Sequence, residues 1–443
     1  MARAILSAAT PGQPAGICPA REFGYLPSMA GSKSRRSQAK TPRPGVTAAI
    51  RRFLHMEAAG GVVLAVAALV AVVVKNSAWG PAYDAWLADR LTVQIAGWIQ
   101  EKSVASWIKD GLMAIFFLLV GLEIKREILV GELSDPKRLA LPVLGAIGGM
   151  VAPALVYVMV WALSGGDSQE LRGWPIPMAT DIAFAVAVLS LAGGRVPMGL
   201  KVFLLTLAIV DDLGAIVMIA ILFTGQLNVA ALGGAIALLA VLHLANRFGQ
   251  RAIWPYLAVG VVIWALVLES GVNATVAGVL LATAIPLRNP PKGEARSPLQ
   301  ALEHGLHPWV AYGILPIFAF AAAGFSFDGL SFASLGETVP LAVALGLLIG
   351  KPIGIMGAAW VATRVNLARL PEGATWLQML GVTFVAGIGF TMSLFVGALA
   401  FRGLNPDYLV EMRLGVIFGS IVASAIGLWL ITFGARRTRA RQS

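Results

Sequence analysis

Residues 202–223 read VFLLTLAIVDDLGAIVMIAILF, an apolar run interrupted once, by the adjacent carboxylates Asp211 and Asp212. They are the only charged side chains between Lys201 and Arg247. A helix of about 20 apolar residues crosses the hydrocarbon core of a bilayer, so this run reads as a membrane span. A carboxylate at that depth costs about 2.5 to 3.5 kcal/mol even on the lenient insertion scale, which makes the pair the first candidate for a functional site.

The rest of the chain fits that reading. Of its 443 residues, 58% are hydrophobic and only 13% charged, and the mean hydropathy is +0.78. An ordinary soluble domain is about 25% charged. The composition therefore predicts an all-α polytopic membrane protein. The single cysteine, Cys18, lies in a polar tail and excludes both a disulfide framework and a thiolate metal site. The net charge of +11 admits nucleic acid as a partner only until the charges are placed relative to the membrane.

Apolar segments near 56–76, 104–124, 139–163, 176–191, 200–223, 228–245, 254–269, 272–287, 308–326, 338–362, 376–400 and 412–433 give about twelve spans. The segments near 176–191, 254–269 and 272–287 are short, which leaves eleven or thirteen open. With the N-terminus inside, the inward segments hold 26 of the 34 Lys and Arg residues. The outward segments hold seven, mostly matched by acids, and Lys351 falls within a span. This alternation satisfies the positive-inside rule and puts both termini in the cytoplasm. The basic charge is thus a matter of topology and membrane lipid, and no nucleic acid partner is expected. Residues 1–52, rich in Pro, Ser, Gly, Lys and Arg, read as a disordered cytoplasmic tail without a signal peptide. Residues 53–434 form the transmembrane unit and 435–443 a second basic tail, with no soluble protein partner readable.

Other charges lie at membrane depth. Asp181 occurs in MATDIAFAV, Lys351 in LLIGKPIGI, and Asp110 and Glu123 share one span. Asp110 and Glu123 are equally consistent with solvation near the interface. Lys351 has about ten span residues on either side, and burial with a partner fits it better than snorkelling. Pro175 and Pro177 precede Thr180 and Asp181, and Gly387 and Gly389 precede Thr391, so two spans are interrupted. Interrupted spans in corresponding positions of two halves point to the binding site of a secondary transporter. Here the implied repeats are spans 3 to 5 and 10 to 12, of opposite orientation.

Carboxylates, a Thr hydroxyl and carbonyls freed at a helix break suit small hard cations. The same carboxylates bind protons, so cation and proton compete for one site. Adjacent residues of a helix point about 100° apart, which lets one aspartate face Asp181 and the other Lys351. Other classes fit less well. An intramembrane aspartyl protease needs its aspartates on two helices, and its usual Gly-x-Gly-Asp motif is missing. A symporter of organic solutes needs recognition groups such as a mid-span arginine, a channel needs repeating rings of charge, and a primary pump needs a nucleotide motif.

The motifs FFLLVGLEIKRE (116–127), ATDIAFA (179–185), LAIVDDLGAI (207–216), LEHGLHPWVAYGILPIFAFA (302–321), LLIGKPIGI (347–355) and GIGFTMSLF (387–395) together resemble the NhaA-type sodium/proton antiporters. The resemblance runs from about Phe53 to about Phe433. It implies inverted repeats with two discontinuous helices crossing in the membrane. It also implies export of Na+ or Li+ across a bacterial inner membrane against two entering protons, electrogenic and regulated by pH. By position, Asp212 corresponds to the principal cation ligand and Asp211 to its neighbour, paired with Lys351 when sodium is absent. Na+ or Li+ would bind at Asp211 and Asp212. Asp181 and Thr180 correspond to the crossing point. Glu123, Arg126, Glu127, Glu303, His304 and His307 match the region with which the family senses pH; from the residues alone, a solvated, salt-bridged helix end is the better account of them. No cofactor is implied beyond the transported ions. The family forms homodimers, for which the polar connection 77–102 is a candidate contact. One position departs from the family: SGVNATVAG (270–278) carries Asn273 where histidine is expected, so a pH response tuned by that histidine is in doubt.

Overall fold

A computed structural model describes residues 46–95, 98–131, 136–287, 296–328 and 332–442. Most of the segment read as an N-terminal tail lies outside these residues.

The first helix, α1 (Val46–Lys75), begins inside that tail segment, and α2 (Gly80–Ala88) follows. A helical stretch then runs through α3 (Val104–Trp107), a π-turn (Ile108–Leu112) and α4 (Met113–Val130). Next come α5 (Pro136–Ser164), a 3-10 turn (Ile176–Met178), α6 (Ile182–Leu191), α7 (Met198–Leu222), α8 (Val229–Arg247), α9 (Ile253–Glu269) and α10 (Val276–Ala284). The later part of the chain forms α11 (Pro298–Trp309), a π-turn (Val310–Ile314), α12 (Leu315–Ala323), α13 (Thr338–Leu345), a π-turn (Gly346–Gly350) and α14 (Lys351–Arg364). It ends with α15 (Trp376–Ala386), α16 (Phe390–Ala400) and α17 (Asp407–Gln442). The last helix is continuous through residues 435–442, which the sequence reading had set apart as a tail.

Among the described residues, seven helices are long and apolar enough to cross a membrane, or up to nine if each of two bent pairs forms one span. The chain is a multi-pass membrane protein. The shortfall from about twelve has physical causes. The α10 helix has only nine residues, about 14 Å of rise against a hydrocarbon core of about 30 Å. The end of α4 carries Glu123, Lys125, Arg126 and Glu127, which dilute its apolar character.

The chain is all-α as expected, with one small hairpin added among the described residues. Arg90–Ile95 and Trp98–Ser103 pair as an antiparallel hairpin within the connection read as merely polar. Leu91, Val93 and Ile95 alternate with Arg90, Thr92 and Gln94, the period of a strand, and Arg90 Nη1 meets Glu101 Oε1 at 3.2 Å across the ladder.

Leu69, Leu155, Ile221, Val261 and Ile421 are exposed on the outer helix faces. An apolar belt of this kind is stable against lipid chains rather than water. Inside, α1 packs on α6 and α12, α5 on α14, and α17 on α13 and α15. Leu204, Leu207, Ala185, Leu347, Val385 and Ile388 are buried together, and this main core encloses the two aspartates of α7. A smaller core joins α8, α9 and α10 to Leu118 and Leu122 of α4.

Two of the π-turns have a local cause. Pro316 and Pro352 each stand two residues beyond a π-turn, and a proline lacks the N–H that an α-helix needs and crowds the carbonyl four residues back. Lys351 thereby starts α14 on a widened turn. That turn is wedged between the two breaks: a Cβ at Gly346 would lie 2.6 Å from Pro177 Cβ, and one at Gly387 would lie 2.5 Å from Leu347 O. Neither position has room for a side chain.

Candidate functional site

The bent pairs are Glu170–Met178 with Ile182–Leu191, at 48°, and Trp376–Ala386 with Phe390–Ala400, at 43°. Each break leaves carbonyls of one helix and N–H groups of the next without helical partners, and at membrane depth no bulk water replaces them. The two breaks satisfy one another. Asp181 N donates to Ile388 O at 2.7 Å, and Ser393 Oγ donates to Ile176 O at 2.8 Å. Asp181 Oδ1 accepts from Phe184 N at 3.0 Å and caps α6. Its Oδ2 accepts from Thr391 N at 3.0 Å and from Thr391 Oγ1 at 2.5 Å, at the start of α16. One carboxylate thus serves two helix N-termini, whose dipoles favour its negative charge.

Lys351 is fully buried, and its Nζ donates to Asp211 Oδ2 at 2.5 Å and also to Thr180 Oγ1. Thr180 Oγ1 lies 2.6 Å from Asp211 Oδ2 and 2.9 Å from Ala386 O, with a single proton to donate between them. Asp211 therefore has a counter-charge, and Asp181 has a set of donors. Asp212 has neither. Its side chain is buried, and its Oδ2 has no hydrogen-bond partner among the described residues. Asp211 Oδ1 is likewise unpartnered among them.

Asp212 and Asp181 line a crevice of about 50 Å³ with Glu123 and His307. A single water needs about 10–15 Å³ measured in this way, so the crevice has room for a small ion with part of its hydration. Asp211, Thr180 and Lys351 do not line this crevice. Asp212 shares the crevice with Asp181, and Asp211 is held by Lys351. Farther along, Arg126 Nη2 meets Glu127 Oε1 at 2.8 Å and Arg126 Nε meets Glu303 Oε1 at 3.1 Å. The second contact is an ion pair without an aligned hydrogen bond. His307 is buried at the crevice, whereas His304 is exposed and stands apart from it.

A family model described as Na+/H+ antiporter 1 matches residues 51–431. The chain belongs to this family. It is 50% identical over 393 residues to the Na(+)/H(+) antiporter NhaA of Rhodospirillum rubrum, covering 88% of this chain and 98% of that protein. It is 50% identical to the protein of the same name from Pseudomonas fluorescens (strain Pf0-1), covering 88% and 98%, and 48% identical to that of Tolumonas auensis, covering 89% and 97%.

Within this family member several site groups were not singled out from sequence. Thr391 supplies two donors to Asp181, and the carbonyls of Ala386 and Ile388 accept from the other break. The GIGFT interruption was the available signal, since residues just past a helix break carry the free donors. Asp110, left open between solvation and burial, is buried and accepts from Lys102 at 2.7 Å. Asn273 Oδ1 accepts from Thr275 N at 3.1 Å and Thr275 Oγ1 at 2.7 Å, fixing the turn that leads into α10. It lines a separate cavity of about 720 Å³ with Lys102 and Asp110 rather than the crevice at Asp212.

Proposed function

We propose that this chain is a secondary transporter, not an enzyme, that exports sodium or lithium in exchange for protons. The observation that carries the reading is Asp212, a buried carboxylate whose Oδ2 has no hydrogen-bond partner among the described residues, beside one already held by an ammonium. A buried charge must be compensated. A proton or a small hard cation does so equally well, and each excludes the other. Arrival of the cation releases the proton from Asp212 and draws Asp211 away from Lys351, so that both carboxylates and the Thr180 hydroxyl become oxygen ligands. In the opposite half-cycle protons return, the Asp211–Lys351 pair closes again, and the site turns to the other side.

We infer an exchange of one Na+ outward for two protons inward, one proton from Asp212 and one from the coupled Asp211–Lys351 pair. Each cycle then carries one net positive charge inward, for which a potential of 100 mV supplies about 2.3 kcal/mol. The site lies in a bacterial inner membrane within about twelve spans, both termini cytoplasmic, with the bent pairs as crossing elements of inverted repeats. The hydrogen bonds that link the two breaks support that arrangement. Glu123 and His307, with Arg126, Glu127 and Glu303 behind them, form the pH-responsive region, and the protein works as a homodimer.

The test uses inverted vesicles energised by respiration. Added sodium or lithium is expected to collapse the pH gradient with the intact chain and to leave it standing with Asp212→Asn. Exchange that persists in a membrane-inserted Asp212→Asn protein overturns the assignment.

A further inference from the structure

The basic residues at the end of the bundle remote from Arg126 are not all paired. Lys75, Arg90 and Lys102 have carboxylate partners in Asp84, Glu101 and Asp110. Lys109, in the π-turn before α4, Arg402, just past α16, and Arg413, in α17, instead line one cavity of about 300 Å³. None of the three side chains makes an ion pair or hydrogen bond among the described residues, and the buried Nε of Arg413 is an unpartnered donor. Lys109 and Arg402 face the same cavity, and of the charges acting on Lys109 the attraction of its neighbour Asp110 outweighs the repulsion of Arg402. The nearest carboxylates, Asp84 and Asp110, are already taken by Lys75 and Lys102. No carboxylate lines the cavity, and its remaining wall is largely apolar, including Phe318, Leu394 and Met412.

The half-buried Lys109 and Arg413, with one buried free N–H and the exposed Arg402 at their rim, are costly to hold together unless an anion sits among them. Arginine forks match the oxygens of phosphate, and basic pockets between membrane helices hold lipid headgroups. The apolar wall suits a ligand that carries a hydrocarbon body beside its charge. Lys109 is 17 residues before Arg126 in one helical stretch, so the cavity lies about 25 Å from the ion pairs of Arg126, near the opposite headgroup layer. We propose that Lys109, Arg402 and Arg413 form an anion site that takes a phosphate group, with the phosphodiester of an anionic phospholipid as its source and the lipid body against Phe318, Leu394 and Met412.

The full-length protein is reconstituted in nanodiscs of phosphatidylcholine, and thermal unfolding is followed as phosphatidylglycerol replaces part of the lipid or as inorganic phosphate is added. Phosphatidylglycerol is expected to raise the midpoint. A rise with inorganic phosphate in phosphatidylcholine alone assigns the same site to free phosphate. Arg402→Gln, at the exposed rim, tests the location without disturbing the core, and the phosphatidylglycerol needed for half the effect is expected to rise about fivefold. Lys109→Gln with Arg413→Gln is expected to abolish the effect. The proposal is overturned if neither probe shifts the midpoint, or if the shift in Arg402→Gln matches that of the unaltered protein.

Discussion

Asp181 Oδ2 and Thr391 N lie 3.0 Å apart, although 210 positions separate the two residues in the chain. The same carboxylate caps α6 through Phe184 N. Removing it in Asp181→Ala therefore uncaps two helices, at about 0.5–2 kcal/mol each. Thermal unfolding in detergent is expected to show that loss, while Thr391→Ser, which keeps both donors, stays near the unaltered protein. Equal destabilisation by the two substitutions contradicts the shared cap.

The Asp211–Lys351 pair gives a sharper contrast. Lys351→Ala strands a buried carboxylate and is expected to cost about 3–5 kcal/mol. Adding Asp211→Asn removes the stranded charge, so the double variant is expected to regain much of the lost stability. A double variant as unstable as the sum of its parts argues against direct pairing.

Competition at Asp212 fixes the sign of the pH dependence. Protons displace the cation, so the sodium concentration for half-maximal exchange rises as pH falls, approaching about tenfold per pH unit for one displaced proton. Vesicle assays at a series of pH values measure it directly. A half-maximal concentration independent of pH removes the competition from the mechanism.

The two histidines of α11 differ in position and so in expected effect. His307 shares the crevice with Asp212 and Glu123, whereas His304 is exposed. His307→Gln is expected to displace the pH profile of exchange, and His304→Gln to leave it in place. The reverse result places the pH response elsewhere.

Much of this site was readable from residue type. A charge within an apolar run is visible at any resolution of the span boundaries, which is why Asp181, Asp211, Asp212 and Lys351 stood out before any fold was known. The cost of burying charge gave Lys351 a partner, and the family resemblance named it as Asp211. The hairpin at 90–103 was missed because its alternation is short and a hydropathy average blurs it. The short α10 was read too long because apolar residues continue past its last turn, to Leu287. Thr391 was named at the second break but given no role, because a hydroxyl in an apolar segment has no cost that marks it. The grouping of Lys109, Arg402 and Arg413 depends on which helices lie side by side, which no local pattern encodes.

The seating of the turn before Lys351 against Pro177 and Gly387 has a mechanical consequence. With no clearance on either side, α14 cannot slide along its axis without pushing one break and pulling the other. The ammonium that holds Asp211 is thus seated on a turn packed against the backbone around both interruptions, so a displacement at that one ion pair reaches both of them.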